Sequence, residues 1–175
     1  TDKTQTLQGL AMAELYLDIV RDQLNAQIYP ATEAGLNFAL GASAKGLSVR
    51  VAGYSDKQPV LLKDILHALN QPDWNQARFE QLKQKRLRLL ANFQREYPFR
   101  QVISGLYSML TGHWTPLQKV AVVETVTLSQ VQEFTGSLMS SMELKLLISG
   151  NHNKLAAADI QRQFTQILSL RDIDN

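Results

Sequence analysis

Histidines are the first residues in this sequence to consider for chemistry, because catalytic zinc sites usually combine them with a carboxylate. The chain has three, His67, His113 and His152. None has a second histidine or a glutamate at ligand spacing on the same helical face, so we predict no metal site and no catalytic residue. The chain has no cysteine, which excludes thiolate ligands, disulfides and a cysteine nucleophile. It also has no glycine-rich phosphate loop and no G-x-S-x-G elbow.

Three carboxylates form a row at four-residue spacing in the first predicted helix, namely Glu14, Asp18 and Asp22. Residues four apart lie on one face of an α-helix. One interpretation of the row is a cation site. The other, which we favour, is a solvated face with Arg21 nearby, so we expect these carboxylates to be exposed to water.

The main charge feature is the segment 78–100, where basic residues far outnumber Glu80 and Glu96. Helical phase turns Lys85 and Arg88 away from the apolar stripe. Three interpretations stay open: a nucleic-acid-binding helix, a solvated basic helix, and a basic wall facing anionic parts of a peptide substrate. Aromatic residues are not interleaved on the exposed side, so we expect no nucleic-acid partner. A solvated basic helix is the commoner case, and Lys85 and Arg88 are the candidate contact residues if the helix instead faces a substrate.

The elements that must position these residues begin with a helix predicted over residues 6–26. Its apolar residues recur three and four positions apart, and they are Met12, Leu15, Tyr16, Ile19, Val20 and Leu24. Alternating apolar residues over 36–40 and 47–51 then predict two strands. The turn Ala44-Lys45-Gly46 would join them as an antiparallel hairpin.

A helical block follows the hairpin. Asp56 is the predicted cap of one helix, and Asp73 with Gln76 forms the predicted capping box of the basic helix. Further helices are predicted over 102–110, after Thr115 and after Thr127. Strand character returns over 144–148, and a last amphipathic helix spans 155–168.

This order of elements predicts an α+β fold in which helices pack on one face of an antiparallel-type sheet, made of the hairpin plus the late strand. Three strands are few for a domain of this size. We therefore expect one further strand upstream of Thr1, so that the chain is truncated by one strand. An exposed sheet edge, or pairing of that edge with a neighbouring chain, is the expected consequence.

Length and composition fit one ordinary globular domain. The chain has 175 residues, of which 45% are hydrophobic and 19% charged, and its net charge is +2. That charge is too small to indicate a nucleic-acid binder. No stretch approaches the roughly 18 consecutive apolar residues that a membrane span requires, so we expect no membrane partner.

An ordered set of short motifs resembles one protein family. The segment 53–62 (GYSDKQPVLL) closely resembles the segment after the hairpin in the third, or middle, domain of insulin-degrading enzymes, pitrilysin and related M16 peptidases. Other matching pieces keep the same order along nearly the whole chain: Leu15-Tyr16-Leu17, Ala34-Gly35-Leu36, Arg78-Phe79-Glu80, Asn92-Phe93, Val126-Thr127-Leu128 and Gly150-Asn151.

The resemblance implies a LuxS/metallopeptidase M16-like fold, in an enzyme of four homologous domains that enclose a chamber. Zinc would be held only in the first domain, by the histidines of an H-x-x-E-H helix and a distant glutamate. The ligand positions here would be Met12, Leu15 and Tyr16, which suit zinc poorly. The resemblance thus implies that residues 1–175 form one non-catalytic domain without a cofactor, while the parent enzyme binds zinc.

The expected function is therefore a structural and substrate-enclosing domain of a zinc metalloendopeptidase that degrades peptides. The partners implied are the other domains of the parent chain and peptide substrates, with Lys85 and Arg88 in the chamber wall. The alternative is a non-peptidase scaffold homologue acting in assembly, and an upstream H-x-x-E-H helix would distinguish the two. By family analogy the compartment is the periplasm or the cytoplasm.

Overall fold

The computed structural model describes residues 2–33, 35–54, 57–111, 113–151 and 154–168. This part of the chain folds into an antiparallel hairpin surrounded by α-helices, which confirms the α+β class. The elements are α1 (Leu7–Glu33), β1 (Asn37–Ser43), β2 (Gly46–Ala52), α2 (Gln58–Asn70), α3 (Gln76–Asn92), α4 (Pro98–Thr111), α5 (Pro116–Thr125), α6 (Leu128–Met139) and α7 (Lys154–Ile167).

Helix α1 is the centre of the core, because it packs against β1, α2, α3, α5 and α6. Its predicted apolar stripe is confirmed, since Leu15, Tyr16 and Val20 are fully buried. The helix ends at Glu33 rather than near residue 26. The buried Ile28 continues the stripe one turn beyond Leu24. The apolar face is therefore longer than the set of residues from which the end of the helix was predicted.

The predicted hairpin is confirmed. Strands β1 and β2 pair antiparallel, with Leu40 opposite Val49 and Ser43 opposite Gly46 at the turn. Gly46 adopts φ 122°, a backbone conformation that a side chain would oppose. Leu40 is buried and contributes to the core cluster that also contains α1, so α1 packs on the face of the hairpin.

Two of the predicted helix starts are confirmed in atomic detail. Thr115 caps α5 and Thr127 caps α6, and each forms a complete capping box with the glutamine three residues later. Each box satisfies backbone donors that the first helical turn leaves free. These caps fix the boundaries of the two helices that pack beside α1.

The predicted start of the basic helix at Asp73 is wrong. Helix α3 begins at Gln76, and its cap is Asn75, whose side chain accepts a hydrogen bond from the Arg78 amide. The Asp73 amide instead donates to Gln23 Oε1 of α1 at 3.0 Å, which holds this connection outside the helix. Asp56, the predicted cap of α2, lies outside the described residues.

The predicted late strand is also wrong. Residues 142–149 form neither helix nor strand, and the sheet in the described part of the chain consists of β1 and β2. Leu144 packs on the core, but Leu147 is 91% exposed. Alternation predicted the extended conformation, whereas a strand also needs a neighbour to share backbone hydrogen bonds. The strand expected upstream of Thr1 stays a prediction.

Helix α4 carries an apolar stripe that faces water. Its members, which we call the α4 stripe, are between 54% and 76% exposed, and they are Phe99, Val102, Ile103, Leu106 and Leu110. The predicted helix over 102–110 is confirmed, but the burial that its amphipathic pattern implies does not occur within the described structure. Despite this apolar surface, none of the described helices has the length and hydropathy needed to cross a bilayer.

Candidate functional site

The acidic row of α1 faces the basic helix α3. Arg86 donates from Nη1 to Glu14 Oε2 at 2.9 Å and from Nη2 to Asp18 Oδ1 at 2.8 Å. Lys119 of α5 reaches the second oxygen of Glu14, with Nζ at 2.6 Å from Oε1. At the far end of the row, Arg78 Nε lies 2.6 Å from Asp22 Oδ2. Because the numbering rises along α1 as it falls along α3, the two helices run antiparallel.

The expectation of a solvated acidic face is wrong, since even Asp22, the most accessible of the three carboxylates, is only 24% exposed and is paired with Arg78. The side chains of Glu14 and Asp18 are only 15% and 19% exposed, and both are paired with Arg86. An arginine suits this place, because its guanidinium can bond two carboxylates at once with fixed geometry. The row is thus a partly buried ion-pair network that joins α1, α3 and α5.

Charge pairing shifts the pKa values in this network. Hydrogen bonding from Arg78 lowers the pKa of Asp22, and the charges of Arg78 and Lys85 act in the same direction. Burial alone would lower the pKa of Arg86, but the hydrogen bonds and charges of Asp18 and Glu14 outweigh it and raise that pKa. Asp22 therefore stays a carboxylate and Arg86 a guanidinium cation at neutral pH.

The two predicted substrate-contact residues form no ion pair in this network, although the charge of Lys85 acts on Asp22. Lys85 and Arg88 are exposed on α3, and neither forms a hydrogen bond or ion pair with another described residue. Arg78 and Arg86 of the same helix are both paired with α1. The expected exposure of Lys85 and Arg88 agrees with the structure, and their contact with a substrate stays a prediction.

A cleft of about 430 Å³ lies between α1, α3 and β1. Its lining combines charged and apolar side chains with the backbone of β1. Lys85 lines it, whereas Arg88 does not. The charged lining residues are of both signs, and they are Asp18, Arg21, Asp22, Lys85 and Arg86.

Sequence reasoning missed one buried cation, Lys83. Its side chain is buried, and its Nζ donates to the Val126 carbonyl oxygen at 2.8 Å, where α5 ends. The signal was available, because Lys83 lies four residues after the buried Phe79 and so falls on the same helical face. Lys83 thus ties α3 to the end of α5 and is not part of an exposed basic surface.

The positions compared with zinc ligands do not suit a metal. Leu15 and Tyr16 are fully buried, and Met12 packs against the core. The Tyr16 hydroxyl donates to the Leu69 carbonyl oxygen at 2.6 Å, and burial raises its pKa far above the usual value, so it stays a neutral phenol. Zinc prefers imidazole, thiolate or carboxylate ligands, none of which these side chains supplies.

The histidines give no alternative site within the described residues. His67 is exposed on α2 and His113 is exposed between α4 and α5, while His152 lies outside the described residues. No group of three or more histidine, aspartate or glutamate side chains in the part of the chain that the structure describes is placed to hold a metal ion.

Comparisons with known proteins confirm the family resemblance. Residues 2–122 match the family model for the middle or third domain of peptidase M16. Human insulin-degrading enzyme is 34% identical over 158 residues, which cover 90% of this chain and 16% of that protein. The A-factor-processing enzyme of Saccharomyces cerevisiae is 29% identical over 80% of this chain and 14% of its own length.

A solved structure confirms the fold. The crystal structure of pitrilysin superposes with a TM-score of 0.85 at 18% identity, covering 95% of this chain and 18% of that one. The chain therefore spans only about one sixth of the length of the relatives it matches.

Proposed function

Because the chain belongs to the family of middle, or third, domains of M16 peptidases, we propose that it is a non-catalytic, substrate-enclosing domain of a zinc metallopeptidase that degrades peptides. Residues 1–175 act as one such domain within a longer polypeptide. The buried Leu15 and Tyr16 support this, because they occupy the helix where the family resemblance would place metal ligands. Zinc would then be bound by another domain.

The observation that carries the substrate role is the division of charge along α3. Arg78, Lys83 and Arg86 are all hydrogen-bonded within the domain, whereas Lys85 and Arg88 are exposed and form no hydrogen bond or ion pair with a described residue. Unpaired cations on one helical face attract anionic groups over roughly a Debye length of 8–10 Å. Lys85 and Arg88 therefore form a basic wall that favours acidic stretches of a peptide substrate.

The test is a charge reversal in the intact polypeptide. The double variant Lys85→Glu/Arg88→Glu should weaken the apparent affinity for an acidic peptide by about tenfold at low salt, given two exposed contacts of up to about 1 kcal/mol each. A basic peptide of the same length should bind equally well or more tightly. The measurement is the KM of each peptide, compared at low and high ionic strength.

A matched control places the same two reversals elsewhere. Lys63 and Lys154 are exposed on α2 and α7, so Lys63→Glu/Lys154→Glu changes the net charge equally without altering α3. The control should leave the ratio of the two KM values unchanged. Equal effects on acidic and basic peptides in the α3 double variant, or no effect on either, would rule out the basic wall.

The partners implied by this function are the other domains of the same polypeptide. The α4 stripe is the surface that we assign to such a contact. It is apolar and exposed, helix α4 carries Arg100 as its one charged residue, and the chain covers a small share of its relatives' length. Apolar patches of this kind are rare on free surfaces and mark contacts with other protein surfaces.

A scaffold homologue without peptidase activity is the second candidate. The α4 stripe favours it too, because an assembly surface is useful whether or not the polypeptide cleaves peptides. An H-x-x-E-H helix elsewhere in the polypeptide, together with peptide cleavage that a chelator abolishes, supports the peptidase. Absence of both supports the scaffold.

A further inference from the structure

Helices α3 and α5 form an antiparallel pair, and α4 lies in the connection between them. Lys83 of α3 reaches the Val126 carbonyl oxygen at the end of α5, with its Nζ at 2.8 Å. Three residues further along α3, Arg86 shares a partner with Lys119, which lies in the first turn of α5. The numbering therefore rises along α3 as it falls along α5. We call α4 with its two flanking connections the α4 arm, and α3 and α5 its stems.

One carboxylate of α1 holds both stems. Glu14 accepts a hydrogen bond from Arg86 Nη1 through Oε2 at 2.9 Å, and one from Lys119 Nζ through Oε1 at 2.6 Å. All three side chains are less than one fifth exposed, so salt and water screen these contacts weakly. Because each carboxylate oxygen bonds one stem, Glu14 fixes the separation of α3 and α5 beside the α4 arm. We call these three residues the Glu14 clamp.

The two stems depend on Glu14 to different extents. Arg86 also bonds Asp18, with Nη2 at 2.8 Å from Oδ1, so α3 keeps a contact with α1 when Glu14 is lost. Lys119 forms no other ion pair with a described residue. Loss of the Glu14 charge would therefore release the start of α5, where one end of the α4 arm is attached.

The α4 arm is held together on the polar side of its helix. Gln101 Nε2 donates to the carbonyl oxygens of Gln94 and Glu96 at 3.1 and 2.9 Å, in the connection from α3. Ser108 lies seven residues after Gln101, hence on the same face of α4, and its hydroxyl donates to the His113 carbonyl oxygen in the connection to α5. The polar face thus ties α4 to both connections, while the α4 stripe lies on the opposite face and is exposed.

We propose that Glu14 is a positioning residue for the α4 stripe. By holding both stems of the α4 arm, its carboxylate keeps the stripe against an apolar surface of another domain of the same polypeptide. That occupant fits because the chain spans about one sixth of its relatives' length, and because Arg100, the one charged residue of α4, already forms an ion pair with Glu96. The stripe therefore suits an apolar partner surface. This inference rests on the proposed interdomain contact and adds to it a residue that does not belong to the stripe.

The experiment measures how well the stripe is covered in the intact polypeptide. Leu106→Cys introduces a thiol into the stripe, and mass spectrometry of the peptide that contains it gives the alkylation rate at that position alone. The thiol should react about a hundredfold more slowly in the native polypeptide than in urea, because a covered thiol reacts only when the contact opens. Adding Glu14→Gln should raise the native rate about tenfold, the loss expected for one hydrogen bond between charged groups. Glutamine keeps the size of the side chain but supplies only one acceptor oxygen and no charge.

The control makes the same chemical change at the other end of the acidic row. Asp22→Asn also converts a carboxylate of α1 to an amide, but Asp22 bonds Arg78 in the first turn of α3, at the end of that helix away from the α4 arm. It should leave the alkylation rate of Leu106→Cys unchanged. Equal rises with Glu14→Gln and Asp22→Asn would show a general loosening of α1 against α3 and would overturn the inference.

A second variant separates the Glu14 clamp from a folding defect. Lys119→Gln removes the other partner of the same ion pair, so it should also raise the alkylation rate. The two changes together should raise it no further than Glu14→Gln alone, because they remove one shared interaction. Rises that multiply would contradict the clamp.

Failure of this inference differs from failure of the proposed contact. If Leu106→Cys reacts as fast in the native polypeptide as in urea, the α4 stripe is not covered, and the interdomain contact and the clamp are both wrong. If the thiol is protected but Glu14→Gln leaves its rate unchanged, the contact stands and the clamp is wrong. The expected result is protection that Glu14→Gln and Lys119→Gln each reduce and that Asp22→Asn preserves.

Discussion

Helices α3 and α4 follow one another in the chain, and each carries an apolar stripe that the sequence predicts. In α3 the stripe is buried at Phe79 and Leu82, and the flanking cations Arg78 and Arg86 are paired with α1. In α4 the stripe is exposed along its length. The comparison shows that an amphipathic pattern indicates which face of a helix is suited to burial. It does not indicate which part of the molecule packs on that face.

The largest expected effect contrasts one aromatic residue from each helix. Phe79→Ala should lower the free energy of unfolding by about 3–5 kcal/mol, because it leaves a cavity in the core where Phe79 is 1% exposed. Phe99→Ala should change it by less than about 0.5 kcal/mol, since Phe99 is 59% exposed. Urea denaturation of the isolated chain measures both. Equal losses would show that Phe99 is buried in the isolated chain, which would contradict the exposure of the α4 stripe.

The second effect contrasts two arginines of α3 that are two residues apart. Arg86→Ala should cost about 2 kcal/mol, because it leaves Glu14 and Asp18 partly buried without their main partner, although residual contact with water reduces the penalty. Arg88→Ala should be almost neutral, since Arg88 is exposed and unpaired in the described structure. Thermal unfolding of the two variants provides the measurement. A neutral Arg86→Ala would show that the network adds no stability.

The third effect distinguishes the isolated chain from the intact polypeptide. Val102→Asp places a charge in the α4 stripe, where Val102 is exposed. The isolated chain should tolerate it within about 0.5 kcal/mol. If another domain covers the stripe, the intact polypeptide should unfold at lower temperature, because the charge would be buried without a partner. The same tolerance in both forms would contradict an interdomain contact at α4.

The smallest effect is a pH dependence confined to the contact of α3 with α1. Arg78 lowers the pKa of Asp22 in the folded state, so this pair stabilises the fold at pH values above the unfolded pKa of about 3.9. That contribution should be lost as the pH falls through the lower, folded pKa. Asp22→Asn should therefore flatten the acid limb of a stability profile measured by urea denaturation. An unchanged limb would show that the pair is not formed in solution.

Local signals were read correctly from the sequence where a few neighbouring residues determine the structure. The helix caps at Thr115 and Thr127 and the hairpin turn at Gly46 are of this kind. Each depends on hydrogen bonds or φ values within four residues, so no distant partner is needed. Helical phase alone also placed Lys85 and Arg88 on the exposed side of α3, although it did not reveal the buried Lys83.

The failures involve partners that are distant in sequence. Asp73 did not cap α3, because Gln23 of α1 engages its amide. The acidic row was predicted to face water because its partner Arg86 is 72 residues away from Glu14. The alternation over 144–148 predicted a strand, but no strand pairs with this segment in the described residues. In each case the local pattern was correct and the tertiary neighbour could not be known from it.

Zinc dependence of peptide cleavage tests the central claim most directly. The isolated chain and the intact polypeptide should be assayed with the same fluorogenic peptide, with added zinc and with a chelator. We expect no cleavage and no stoichiometric zinc in the isolated chain. The reason is that the buried Leu15 and Tyr16 occupy the positions on α1 where the family resemblance would place zinc ligands. The intact polypeptide should cleave the peptide and lose that activity with the chelator. Chelator-sensitive cleavage by the isolated chain would contradict the account.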